Sequence, residues 1–173
     1  GREGNDEYDE TLNGVQMSVW HQFPDGVDPY LKEGDPNSGL CWGIQPNTLQ
    51  ERGSGDKLIQ AYNFRLCLTD NKENQRPFEK PGNYDPAKYE LLARAIRKMD
   101  LHIDNYLLFN WGVMPENKYD VNNRGPLSTD MIGMNYDYPD GDYATRERIW
   151  QEHVDYTKGL LYFLTHDERV PLE

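Results

Sequence analysis

Lys57-Leu58-Ile59-Gln60-Ala61-Tyr62-Asn63-Phe64-Arg65-Leu66-Cys67-Leu68-Thr69 is the stretch that decides the fold class. Side chains alternate along an extended chain, so Leu58, Gln60, Tyr62, Phe64, Leu66 and Leu68 share one face. Ile59, Ala61, Asn63, Arg65, Cys67 and Thr69 share the other. One face is strongly apolar and the other mixed, which predicts a strand laid on a core. On the mixed face Arg65 stands beside Asn63 and Cys67. It serves either as a structural salt-bridge partner or as a group aimed at an anionic ligand.

Working outward, residues 70–84 read as loop, and Asp85-Pro86 then opens a helix, the aspartate as N-cap and the proline at the first helical position. Tyr89, Leu92, Ala93, Ile96 and Met99 keep helical spacing, with Arg94, Arg97 and Lys98 in the half that complements the macrodipole. Leu107-Leu108-Phe109-Asn110-Trp111 reads as a short strand, and residues 115–141 as a long polar loop. Asp142 caps a second helix expected to run to about Thr165. Ile149, His153, Tyr156, Leu160 and Leu164 form its apolar stripe, and Gly159 at its centre implies close packing against another element. Upstream, residues 1–14 are a polar lead-in, and Val15, Met17 and Val19 alternate as in a strand. Residues 23–55 are rich in proline and glycine and must be mostly loop. The expected fold class is therefore α+β. It comprises a short antiparallel sheet, two main helices and long ordered loops in a single domain over residues 15–173.

The totals exclude several functions. Thirty acidic against 18 basic residues give a net charge of −12, a field that repels nucleic-acid backbones and anionic membrane surfaces. No apolar run approaches the ~20 residues of a spanning helix. The two cysteines, Cys41 and Cys67, form neither a redox nor a zinc motif; a disulfide between them and buried free thiols are the two alternatives. His21, His102, His153 and His166 are scattered, so no metal site is expected. Glycine-rich phosphate loops and the common hydrolase motifs are missing. The N-terminus, Gly1-Arg2-Glu3-Gly4-Asn5-Asp6-Glu7, reads as a cut inside a longer chain.

One segment has the composition of a binding surface: Lys118-Tyr119-Asp120-Val121-Asn122-Asn123-Arg124-Gly125-Pro126-Leu127-Ser128-Thr129-Asp130-Met131-Ile132-Gly133-Met134-Asn135-Tyr136. It is an array of hydrogen-bond donors and acceptors whose glycines let backbone approach a ligand. A solvated loop held by Asx-turns is the competing explanation.

With Gln60 to Thr69, this segment resembles a family of bacterial FAD-dependent oxidoreductases, some of whose members carry a xanthan-lyase name. Lys80-Pro81, Tyr84-Asp85-Pro86, Tyr138-Pro139, His153, Gly159-Leu160-Leu161-Tyr162-Phe163-Leu164 and Val170-Pro171 extend the resemblance over nearly all of the chain from about Asn13. It implies a flavin held by a dinucleotide-binding fold in the full-length parent. This chain would be a substrate-binding or cap segment that carries no cofactor itself and is catalytically incomplete alone. Its partner would be the flavin-binding remainder of the same polypeptide, and its ligand a small molecule or saccharide. Self-association is one way to cover the apolar surface such a segment exposes.

The candidate substrate-binding residues are Arg65, Lys118, Asp120, Asn122, Asn123, Ser128, Thr129, Asp130 and Asn135. His153 matches a family position but falls on the apolar stripe, where a satisfied core histidine is expected. Two other functions stay open. One is a carbohydrate-binding module using Trp20, Trp42 and Trp111 as stacking surfaces. The other, ranked last, is a polysaccharide lyase acting alone. Substrate and compartment are not fixed by these residues.

Overall fold

The structure is a computed structural model that describes residues 2–9, 12–17, 19–46, 48–99 and 108–171. His102 and Leu107 lie outside the described residues. Three strands form one antiparallel sheet: β1 (Leu66–Thr69), β2 (Phe109–Met114) and β3 (Lys118–Asn123), in the order β1-β3-β2. Two α-helices, α1 (Glu90–Ile96) and α2 (Tyr143–His166), complete an α+β fold of the expected kind, with long irregular segments between.

The central strand β3 lies inside the stretch expected to be loop. Asparagine and aspartate have low strand propensity, but pairing on both sides overrides it. Leu66 pairs with Val121 and Cys67 with Asp120 on one edge, and Trp111 with Val121 and Gly112 with Asp120 on the other. The period-2 signal is present: Tyr119 and Val121 join Leu66, Leu68, Phe109 and Trp111 in the core, and Val121 is fully buried. Lys118, Asp120 and Asn122 take the opposite, polar face. A three-residue turn, Pro115-Glu116-Asn117, joins β2 to β3, with Glu116 and Asn117 both left-handed at φ 62° and 56°.

Two expected strands are cut back by lack of a partner. Of residues 57–69 only Leu66–Thr69 is strand: its ladder with β3 stops at the Leu66–Val121 pair, although β3 itself runs on to Asn123. That earlier stretch is tied down from the side instead, by Asn135 Nδ2 donating to Gln60 O (2.9 Å) and Met131 N–H to Tyr62 O (3.5 Å). The stretch from Val15 makes no strand either. Val15 is buried and exchanges backbone hydrogen bonds with Gly53 and Ser54 (2.8 and 2.9 Å), whereas Met17, Val19 and Trp20 are exposed. Alternation supplies a face, but a strand also needs an edge to pair with.

Both helix starts form as the sequence predicts. The Asp85 carboxylate accepts from Ala87 N–H (2.9 Å) and opens a 3₁₀ turn, Pro86–Tyr89, leading into α1. The Asp142 carboxylate accepts from Thr145 N–H (2.8 Å) at the start of α2. Arg94 does not act as an exposed dipole partner: only 4% of it is exposed, and it reaches across to residues 28–31.

The core is aromatic. Tyr89 stacks on Phe163 and Tyr156 (centroids 5.4 and 5.8 Å apart), and Trp42 stacks on Tyr156 (5.5 Å). Cys41 and Cys67 are free thiols, Cys41 buried and Cys67 exposed on the polar sheet face, so the disulfide alternative falls.

Gly159 has the close neighbour its position implied. A Cβ there would collide with the Tyr89 hydroxyl, which donates to Tyr156 O at 2.8 Å. Helix propensity alone makes Gly159→Ala stabilising by about 1 kcal/mol. Overpacking reverses the sign, and a net loss of about 1–3 kcal/mol is expected. Urea unfolding decides between them, and a gain in stability would rule out the steric account.

Candidate functional site

The nine residues singled out in the sequence separate into two groups. Arg65 and Asp120 form a two-pronged ion pair on the polar sheet face, with Arg65 Nε donating to Asp120 Oδ1 at 3.0 Å and Nη2 closing on Oδ2. Both side chains are exposed. Lys118 pairs with Glu116 at 2.9 Å in the hairpin turn, also in solvent. This group is a solvated surface.

The second group, apart from Asn135, is a polar chain that runs from the end of β3 into the protein. Asn63 Nδ2 donates to Asn122 Oδ1 (2.9 Å) and Thr129 Oγ1 (3.4 Å). Asn122 Oδ1 also accepts from Asn123 N–H (2.9 Å), and Asn123 Nδ2 donates to the Asp130 carboxylate. The Tyr156 hydroxyl donates to Ser128 O at 2.6 Å. A polar segment was expected to stay out of the core, yet Ser128, Thr129 and Asn135 are 2%, 1% and 0% exposed. They are affordable there because neighbouring backbone and amide groups satisfy most of their hydrogen bonds. Asn135 Oδ1 is the exception, buried without a partner among the described residues. These three hold the segment in place, and of the nine candidates only Asp130 lines the cleft between residues 45–61 and 130–136.

That cleft has a volume of about 870 Å³. Leu49, Leu58, Ile59 and Ile132 give it apolar walls, and Gln45, Gln60, Tyr136, Asp130 and His21 a polar fringe. At one side Arg2 and Asp56 form a two-pronged ion pair, and the Arg2 guanidinium holds the Asp56 carboxyl below its ordinary value. Burial pushes the Asp130 carboxyl up, opposed by the Asn123 hydrogen bond and the nearby His21. A carboxyl so placed can exchange hydrogen bonds with a ligand in either protonation state.

His21 is the residue that sequence reasoning passed over, since it belongs to no motif and its strand-like flank does not form. It lines both the cleft and an adjoining recess of about 250 Å³ bounded by Trp20, Asn110, Asn123 and Arg124. Its backbone is left-handed at φ 62°. Its role becomes visible only when residues 19–22 meet residues 123–130. His153 is buried as expected and bonds Ile149 O through Nδ1 (2.7 Å), but its Nε2 is buried without a partner among the described residues.

Flavin adenine dinucleotide needs a cradle for its diphosphate, normally a glycine-rich turn between a strand and a helix N-terminus. Among the described residues no strand runs through such a turn into a helix. The 3₁₀ turn that leads into α1 and the start of α2 are already filled by carboxylates, Asp85 and Asp142, which would repel a phosphate. The most crowded glycines serve internal packing: Gly14 lies against the backbone of Gly53 and Ser54, and Gly133 against Gln45. The described residues do not fit the diphosphate. The tryptophans do not make a sugar-stacking platform either, since Trp42 and Trp111 pack against the core and only Trp20 is more than half exposed.

Fold and site together define an α+β domain with a polar-fringed cleft and no dinucleotide cradle among the described residues. The chain belongs to the FAD dependent oxidoreductase family, whose model matches residues 1–173. No curated protein and no solved structure matches it.

Proposed function

We propose that this chain is the substrate-side, cap-like part of an FAD-dependent oxidoreductase whose flavin is held by another part of the same polypeptide. The flavin supplies the redox chemistry, while this chain orients the substrate and keeps water out. The observation that carries the proposal is the cleft with the half-buried Asp130 on its wall, in a chain of this family whose described residues cannot hold the diphosphate. Exposed Met17, Val19, Leu49 and Ile132 supply apolar surface for the flavin-binding part to cover.

On this proposal the chain alone retains no flavin. Purified protein mixed with excess FAD and freed of unbound cofactor is expected to show no flavin absorbance. A stoichiometric retained flavin band would show that the chain holds its own cofactor and would overturn the cap assignment.

A further inference from the structure

We propose that His21 is the hydroxyl-recognition residue of the cleft, its Nε2 accepting a hydrogen bond from a neutral, polyhydroxylated ring such as a saccharide or cyclic polyol. The inference rests on the cleft being the substrate side, and it adds the ligand class and the residue that reads it.

Three observations converge on this side chain. The first is its tautomer. His21 Nδ1 lies 3.1 Å from Gly125 O, and a carbonyl only accepts, so Nδ1 carries the proton. In the neutral ring Nε2 is then a pure acceptor, and no hydrogen bond joins it to a described residue. The second is backbone geometry. A histidine at φ 62° occupies a region that L residues adopt rarely. Such conformations persist where the surroundings over-determine them, which happens most often at ligand sites. Here the Gly125 bond fixes the ring on the wall between the cleft and the smaller recess. The third is its neighbour. Asp130 lines the same cleft and is held in place by Asn123.

The charge of the walls selects the ligand. Arg2 is neutralised by Asp56, which leaves Lys57 and Asp130 as one cation and one anion on the lining. With no surplus of either sign, the cleft favours an uncharged molecule. Its apolar walls suit the C–H faces of a ring, and its amides, hydroxyls, His21 and Asp130 suit the hydroxyls at the ring edge.

The test uses His21→Asn. The asparagine amide reproduces the Nδ1–H donor to Gly125 O, and asparagine tolerates the left-handed backbone better than most residues. The variant should therefore keep its melting temperature while losing the Nε2 acceptor. Methyl α-D-glucopyranoside is titrated into the ¹⁵N-labelled wild-type protein, with its fully O-methylated derivative, which has no hydroxyl donor, as control. The His21 Nε2 resonance is expected to shift saturably with the glucoside only, and His21→Asn is expected to weaken binding, read from cleft amides, roughly tenfold. No saturable shift at Nε2, an equal shift with the O-methylated sugar, or unchanged affinity in His21→Asn would each overturn the proposal. Because the readout involves no flavin, a negative result here leaves the cap assignment standing, and the two failures are told apart.

Discussion

Replacing Asp130 by alanine in the complete flavoprotein is expected to slow flavin reduction by substrate about 30- to 1000-fold while leaving flavin content and melting temperature nearly unchanged. The rate range corresponds to roughly 2–4 kcal/mol for a charge-assisted hydrogen bond lost from a water-poor site. Asp130 is the candidate residue that combines a place on the cleft wall with a burial-raised carboxyl. Arg65→Ala is the matched control. Its ion pair with Asp120 lies in solvent on the polar face of the sheet, where such pairs contribute less than about 1 kcal/mol. Rapid-mixing absorbance of the flavin separates the outcomes. Unchanged reduction in Asp130→Ala would remove the cleft from the reaction. Equal slowing in both variants would move the substrate to the sheet face. A large drop in melting temperature for Asp130→Ala would mean that the carboxylate serves only to hold Asn123.

The largest stability effect is expected at Arg94. Its guanidinium donates to the backbone carbonyls of Asp28 (2.9 Å), Tyr30 (2.6 Å) and Leu31 (3.3 Å), and its Nε to Glu90 (2.8 Å). Cys41 Sγ meets the same Tyr30 carbonyl at 3.2 Å. One buried cation thus ties a proline-rich loop to α1. Arg94→Met keeps much of the side-chain length but removes the guanidinium from the Asp28 and Leu31 carbonyls, and leaves Tyr30 O with Cys41 Sγ and Glu90 with Arg169. The expected loss is about 3–5 kcal/mol, or a melting temperature lower by roughly 10 °C. Arg94→Lys should recover only part of this, because an ammonium is a point charge and cannot fork across three acceptors. A shift below about 2 °C in Arg94→Met would show that the loop is held elsewhere.

The sequence by itself determined the elements whose signals are local. Asp85-Pro86 and Asp142 start their helices because a carboxylate meets orphan N–H groups within three residues of its own position. The α2 stripe buries Ile149, His153, Tyr156 and Leu160 because helical periodicity is a property of the chain alone. The α+β class followed from these signals together with the apolar alternation at Leu66 and Leu68.

Tertiary structure decided everything that depends on a partner distant in sequence. Strand β3 forms from Lys118-Tyr119-Asp120-Val121-Asn122-Asn123 because β1 and β2 flank it, while the better-patterned residues 57–65 make no ladder and stay irregular. The polar segment after β3 contains both Ser128 and Thr129, buried in the core, and Asp130, turned to the cleft; composition could not separate neighbours facing opposite environments. Arg65 and Asp130, grouped by their chemistry, lie in different surroundings because Arg65 stands on the polar face of the sheet, while the chain after β3 carries Asp130 to the cleft. His21 became part of a site only when a left-handed turn set it against Gly125, 104 residues away. Caps and stripes are written within one or two turns of chain, but register, burial of polar groups and convergence on a cleft are set by long-range packing.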